Sequence, residues 1–397
     1  MALRIADALG VAGSLIPRLI WRPRRDTGQG IRNILVIEPW LIGDVVLVTP
    51  VLQALRARFP DARLSLLGKP HAAELLRNSG LVDDVIEFDL PWTANTHKYR
   101  PSRYDRRAIR DLLGLLRRCE FDLTIDCRMD IRSNVVAFAT GAPRRIGYDF
   151  GGGSYLLTDA LTAAPDDHHK VDDWLALLGP LGDSGYRGHV SSTAAGASYK
   201  PRLSVTPGER AEAVRRLGAL GCMEGDVIVG VHPGASQPRR RWPLEDFAWV
   251  IDSLVARDSE TVPAPASLES SQVRASTVRV LVFVDPENYG ADMKLQTEAR
   301  FIRTSLREMM AAFTLCDVVI CNDSGPMHIA DALQVPVVGI FTTGNPVWHR
   351  PYGEHQITVG HGTGHDFVSY PDRAAVLDAA ERQLQRSLET RSVRPPA

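Results

Sequence analysis

No apolar run in these 397 residues approaches the ~20 needed to cross a bilayer as a helix, so no membrane-spanning helix is expected. Cysteine is scarce as well. The five thiols (Cys119, Cys127, Cys222, Cys316 and Cys321) are odd in number and scattered, and none forms a Cys-x-x-Cys pair. That pattern argues against a disulfide framework and a zinc site, and for reduced thiols in a cytosolic compartment. Net charge is nearly absent. A formal total of −1 offers nothing to drive counterion release, which argues against a general nucleic-acid binder. Neither a Gly-x-Gly-x-x-Gly fingerprint nor a Walker A loop occurs, so nicotinamide dehydrogenase and P-loop ATPase chemistry have no support. A Gly-x-Ser-x-Gly elbow is missing too.

What is present is the composition of a soluble globular protein, 44% apolar and 23% charged, in a chain long enough for two cores. From Ile31 the pattern alternates between short apolar runs and helical spacing. Ile34–Ile37, Leu64–Leu67, Val85–Phe88 and Leu123–Cys127 read as strands. Helices are expected over Val45–Phe59 (kinked or re-started at Pro50), His71–Arg77, Tyr104–Cys119 and Ile131–Ala139. Pro91–Pro101 reads as a loop. Gly179–Pro201, rich in Gly, Ser and Ala, marks a domain boundary.

A second series follows, with strands at Val227–Val231, Val278–Val284, Asp317–Cys321 and Val335–Phe341. Its helices are expected at Leu244–Arg257, at Ser305–Leu315 and from Pro326 as the first helical position, with Asp372–Leu388 closing the chain. Alternation of this kind predicts an α/β protein with doubly wound parallel sheets. The domains expected are 31–185 and 205–370, with a linker at 186–204, a flexible insertion at 259–277 and a helix and tail at 371–397. Residues 1–30 stand apart. Asp7 and Pro17 fit a secretory signal poorly. This segment reads either as a basic-ended amphipathic helix on an anionic membrane face or as a frayed extension.

Four turns fall at the carboxyl ends of expected strands, where open α/β sheets bind ligands. Asp44, just inside a helix start, is either a cap or a base. His232-Pro-Gly-Ala-Ser236, followed by Arg239, Arg240 and Arg241, combines close backbone approach, a hydroxyl and guanidiniums, as a phosphate site does. Asp285-Pro-Glu287 offers carboxylates suited to ribose hydroxyls. Asp323-Ser-Gly-Pro-Met-His328 is a strand-to-helix turn suited to an anion. His168 and His169 are adjacent without metal spacing and read as exposed loop residues.

Taken together these stretches resemble the heptosyltransferase-type glycosyltransferases of family 9. Ile34–Ile37 with Ile42–Leu55 looks like that family's first βα unit. Phe121–Asp126, Gly141–Tyr148, His232–Ser236, Arg241–Pro243, Asn322–His328, Phe341–Pro346 and Pro351–Gly353 match in order from about Ile31 to about Gly353.

The resemblance implies a GT-B fold, two Rossmann-like domains facing across a cleft, with an ADP-sugar on the second and a lipopolysaccharide-core or related surface-glycan acceptor on the first. It implies inverting transfer without a metal or other cofactor, at a cytoplasmic location with peripheral contact to the inner membrane face. Asp44 matches the general base and Arg240 falls where a lysine usually faces the departing diphosphate. His232, Ser236, Arg241, Glu287, Asp323, Ser324, Gly325 and His328 fall on the donor side. Three features depart from the family pattern: Glu38-Pro-Trp-Leu41 before Gly43-Asp44, Arg240 itself, and Val284-Asp-Pro-Glu287. The departures at Trp40 and Arg240 keep open a catalytically silent sugar-nucleotide binder, and a GT-B-fold sugar-nucleotide epimerase is the other alternative.

Overall fold

A computed structural model describes residues 30–93, 102, 104–149, 152–162, 168–182, 199–261, 277–354, 356–360 and 371–393. The chain divides into two compact units, Met1–Pro201 and Arg202–Ala397. The 1–29 segment, the 183–198 stretch, residues 94–101 of the expected loop and the bulk of the 259–277 insertion lie outside the described residues. Among the described residues no helix is long and apolar enough to cross a membrane.

Unit 1 holds one six-stranded sheet, ordered β3-β2-β1-β4-β5-β6. Its strands are β1 (Asn33–Ile37), β2 (Arg63–Gly68), β3 (Asp84–Glu87), β4 (Leu123–Asp126), β5 (Arg144–Tyr148) and β6 (Asp159–Leu161). Every pairing is parallel. The central strands are buried almost throughout and mainly apolar, as helix-covered parallel sheets demand.

The helix expected over Val45–Phe59 is two, α1 (Ile42–Leu47) and α2 (Thr49–Arg58), with Pro50 in the first turn of the second. Proline lacks the N–H that the preceding turn would need, so the chain re-starts there. α3 (Pro70–Leu76), α4 (Arg106–Arg118), α5 (Ile131–Ala139) and α6 (Lys170–Ala176) complete the unit. Asp105 caps α4, accepting from the N–H groups of Arg107 and Ala108 at 2.9 Å. Leu112 and Leu116 of α4 then pack with Phe121, Val136 and Leu35 in the core.

Unit 2 repeats the plan with β7 (Val227–His232), β8 (Val278–Phe283), β9 (Ala299–Ile302), β10 (Val318–Asn322), β11 (Val337–Ile340) and β12 (Ile357–Val359). The order is β12-β11-β10-β7-β8-β9, again all parallel. Its helices are α7 (Pro207–Ala219), α8 (Leu244–Thr261), α9 (Leu306–Phe313), α10 (Gly325–Ala332), α11 (Pro346–His349) and α12 (Arg373–Val393). Reciprocal capping boxes open α7 (Thr206 with Glu209) and α9 (Ser305 with Glu308). α12 lends Val376, Leu377, Ala379, Ala380 and Leu384 to the core around Trp242 and Phe247.

Counted from its own first strand, each sheet runs 3-2-1-4-5-6, the dinucleotide-binding order. The strand succession reverses between β1 and β4 in unit 1, and between β7 and β10 in unit 2. Beyond the carboxyl ends at such a reversal the flanking connections diverge to opposite faces and leave a crevice. Asp44, the His232–Arg241 loop and the Asp323–His328 turn fall at these two places, and Asp285-Pro-Glu287 follows the neighbouring strand β8.

Candidate functional site

In unit 1 the reversal brings together the exits of β1 and β4. Glu38 follows β1 directly, and Asp44 lies at the third position of α1, where its Oδ2 accepts from the N–H of Leu41 at 3.2 Å. This is the capping role. It occupies only one oxygen. Oδ1 forms an ion pair with the Lys170 ammonium and lies 3.4 Å from Arg128 Nη1. Arg128 follows β4, and its guanidinium stacks over the Trp40 ring, 4.4 Å from the centroid. The indole noted as a departure is therefore a platform for a cation.

The same Arg128 Nη1 lies 3.4 Å from Glu38 Oε1. Burial pushes the Glu38 carboxyl up to about 7, with Arg128 opposing. Burial likewise raises Asp126 well above the ordinary carboxylate range. His71 is shifted the other way, first by burial and then by the nearby Lys69.

Arg128 and Lys170 were not singled out from the sequence, and Glu38 entered only as the first residue of the departure Glu38-Pro-Trp-Leu41. Arg128 could have been, because it follows a recognised strand exit as Asp44 does. Lys170 gave no signal, since α6 itself was not expected. His169 corrects the loop reading of that histidine pair: it is buried and caps α6, its Nδ1 accepting from the N–H of Val171 at 3.1 Å. A ring nitrogen can cap a helix as a hydroxyl does, and doing so places Lys170 in the first turn, against Asp44.

In unit 2 the exits of β7 and β10 are tied by Asn322, the last residue of β10. Its side chain donates to the carbonyl of Pro233 at 2.5 Å and accepts from the N–H of Trp242 at 3.0 Å. Asn322 is fully buried, so both bonds form without competition from water. Asn322→Ala strands a buried N–H and a buried carbonyl. It is expected to cost about 1–3 kcal/mol in urea unfolding and to loosen the arginine loop.

Within that loop Arg241 is fully committed. Its Nε donates to the carbonyl of Ala235 at 2.8 Å, its Nη2 to Glu287 at 3.0 Å, and the guanidinium lies 4.4 Å over the Tyr289 ring. Glu287 is otherwise exposed, whereas its neighbour Asp285 is buried and accepts from the N–H of Tyr289 at 2.8 Å. Arg240 reaches Asp323 of the β10–α10 turn, Nη1 to Oδ2 3.2 Å. Ser236 is exposed.

Gly234 leaves room that no other residue would, because a Cβ there would sit 2.7 Å from Asp285 Oδ2. At α10 the N-cap is Ser324 and the helix starts at Gly325, so Pro326 takes the second position instead of the first. The Ser324 hydroxyl donates to the Asn322 carbonyl at 3.2 Å and makes no capping bond, so it does not close the helix N-terminus. His328 is buried in the first turns of α10.

His232, at the end of β7, is held neutral: burial brings it down to about 4, against the opposing pull of Asp285. Its folded value lies below the unfolded value of about 6.5, so the unfolded chain binds the extra proton first. The stability that this histidine contributes is complete above pH ~6.5. It falls by up to about 3 kcal/mol as pH drops through 4. The raised carboxyls of Glu38 and Asp126 slope the other way in this window. The contribution of His232 is therefore read as the difference in urea stability between wild type and His232→Gln from pH ~4 to ~8, which should shrink as pH falls.

Comparison with known proteins follows the same lines. The chain matches Glycosyltransferase family 9 (heptosyltransferase) over residues 109–371. Lipooligosaccharide heptosyltransferase 2 of Haemophilus influenzae is 25% identical over 328 residues, covering 81% of this chain and 86% of that protein. The structure of Escherichia coli ADP-heptose lipopolysaccharide heptosyltransferase II aligns with a TM-score of 0.68 at 20% identity, covering 90% of this chain and 99% of that one. An E. coli heptosyltransferase solved with ADP-2-deoxy-2-fluoro heptose aligns at 0.59 and 15% identity, covering 88% and 99%. These structures share the fold. With most of its length inside the family match, this chain belongs to glycosyltransferase family 9 and is a glycosyltransferase of the GT-B fold.

Proposed function

We propose that the enzyme moves a sugar, heptose before others, from an ADP-sugar to a lipopolysaccharide-core or related surface-glycan acceptor, with inversion and without a metal or other cofactor. The observation that supports this most is the placement of both polar clusters at the strand-order reversals of their sheets. The unit 2 cluster presents the Arg240 guanidinium beside a helix N-terminus, which suits a diphosphate. The unit 1 cluster offers a carboxylate, Asp44, that can take the proton of an acceptor hydroxyl.

An oxocarbenium-like transition state needs a base on one side and fixed positive charge on the side of the leaving diphosphate. In this reading Arg240 and the N–H groups opening α10 supply the second. The relatives support the donor: one is named an ADP-heptose lipopolysaccharide heptosyltransferase, and another was solved with a fluorinated ADP-heptose. A glycolipid acceptor would put the enzyme at the cytoplasmic face of the inner membrane. The test is incubation of ADP-heptose with heptose-deficient lipopolysaccharide. Heptose should join the acceptor with inverted anomeric configuration as ADP is released. Retained configuration would remove the inverting assignment, and equal ADP release without acceptor would mark a donor hydrolase.

A further inference from the structure

Glu38 has no part in the chemistry proposed above, yet it is fully buried at the carboxyl end of the central strand of unit 1. Its Oε2 has no hydrogen-bond partner among the described residues, and its Oε1 meets Arg128 Nη1 at 3.4 Å. That same nitrogen is 3.4 Å from Asp44 Oδ1. One guanidinium nitrogen thus lies at the same distance from two carboxylates, while the guanidinium stacks over Trp40. The charged and titratable groups facing Glu38 are Arg128, Asp44 and Lys170, with Asp126 and Cys127 behind them.

We infer that Glu38 is a positioning residue for Asp44: acting through Arg128, its ionisation sets how tightly that guanidinium holds Asp44, and so how readily Asp44 takes a proton. The inference rests on the reading of Asp44 as base. In the transfer step the acceptor O–H proton goes to Asp44 as the new O–C bond forms. The electron pair of the breaking C–O bond leaves with the diphosphate. Glu38 exchanges no proton in that step. While Glu38 is neutral, Arg128 adds its pull on Asp44 to that of Lys170 and damps its basicity. Once Glu38 is ionised it competes for Arg128, and Asp44 becomes the stronger base. Burial brings that change close to neutral pH.

The test is the pH profile of kcat from about 5.5 to about 8.5, with ADP-heptose and heptose-deficient lipopolysaccharide. Wild type should rise through an inflection near 7, matching the Glu38 value. Glu38→Gln should lose the inflection and stay low at the alkaline end, by about tenfold or more, with the KM for ADP-heptose unchanged. Glu38→Asp should restore part of the rise. An inflection that persists in Glu38→Gln overturns the inference, as does a uniform loss at every pH, which marks a purely structural acid.

A readout free of turnover is the carboxyl-carbon NMR shift of Asp44. In wild type it should carry a second step as Glu38 ionises, absent in Glu38→Gln; a trace without that step overturns the coupling. Failure of the base reading is distinguishable, because Asp44→Asn would then stay fully active while the NMR step remained.

Discussion

Replacing Asp44 with asparagine is expected to lower kcat for sugar transfer by about 10²- to 10⁴-fold, with little change in the donor KM. Asparagine keeps the size and can still accept from the N–H of Leu41, so the start of α1 survives. It cannot take a proton. The substitution also removes an anion from between two cations, Lys170 and Arg128, of which Lys170 is nearly inaccessible to water. Breaking such a pair costs up to about 3–5 kcal/mol. Glu38 should offset part of this, because the loss of the Asp44 charge favours its ionised form. The variant is therefore expected to fold with a lower urea midpoint and to bind donor normally. Transfer at the wild-type rate would remove Asp44 as the base. Loss of donor binding along with transfer would mean that unfolding, and not chemistry, accounts for the defect.

The legibility of the chain follows from what each segment buries. β1, β4, β7, β8, β10 and β11 were readable because strands covered on both faces are apolar runs. β5 was not, since Arg144-Arg145 opens it. The structure resolves that conflict by burying the Arg145 guanidinium against the carbonyls of Leu156 and Ala142, at 2.8 and 2.5 Å. β6, β9 and β12 lie at or beside sheet edges, are only three or four residues long, and are mostly half-exposed, so they carry no run. α7 was missed because only Ala213 and Leu217 of its thirteen residues are buried, too few to set a period.

The site shows the same division. Asp44, Arg240, Asp323 and Ser324 were legible because each sits at a strand exit, a position that local pattern reveals. The partners of Asp44 were not, since Arg128 and Lys170 come from 84 and 126 residues away. Only the return of the chain to the β1–β4 crevice makes them neighbours.

The second large effect is expected at Arg240, where substitution by methionine should lower kcat by about 10²- to 10³-fold. Two arginines stand side by side in this loop, and their bonding separates their roles. Arg241 spends its donors on Ala235 and Glu287 and its face on Tyr289, so it shapes the loop. Arg240 makes one ion pair, to Asp323, and its Nε has no hydrogen-bond partner among the described residues. A guanidinium with unused donors beside an open helix N-terminus is the group best able to strengthen its hold as charge builds on a leaving diphosphate. Arg240→Lys should recover part of the rate, because an ammonium keeps the charge and loses the fork. Arg241→Met should act mainly on the donor KM. One confounding effect has to be separated. Asp323 is buried, and without Arg240 its negative charge would itself repel the diphosphate. The double variant Arg240→Met/Asp323→Asn removes that repulsion. A rate that stays low in the double variant shows that the guanidinium itself stabilises the leaving group. Recovery to near wild type would show instead that Arg240 serves only to neutralise Asp323.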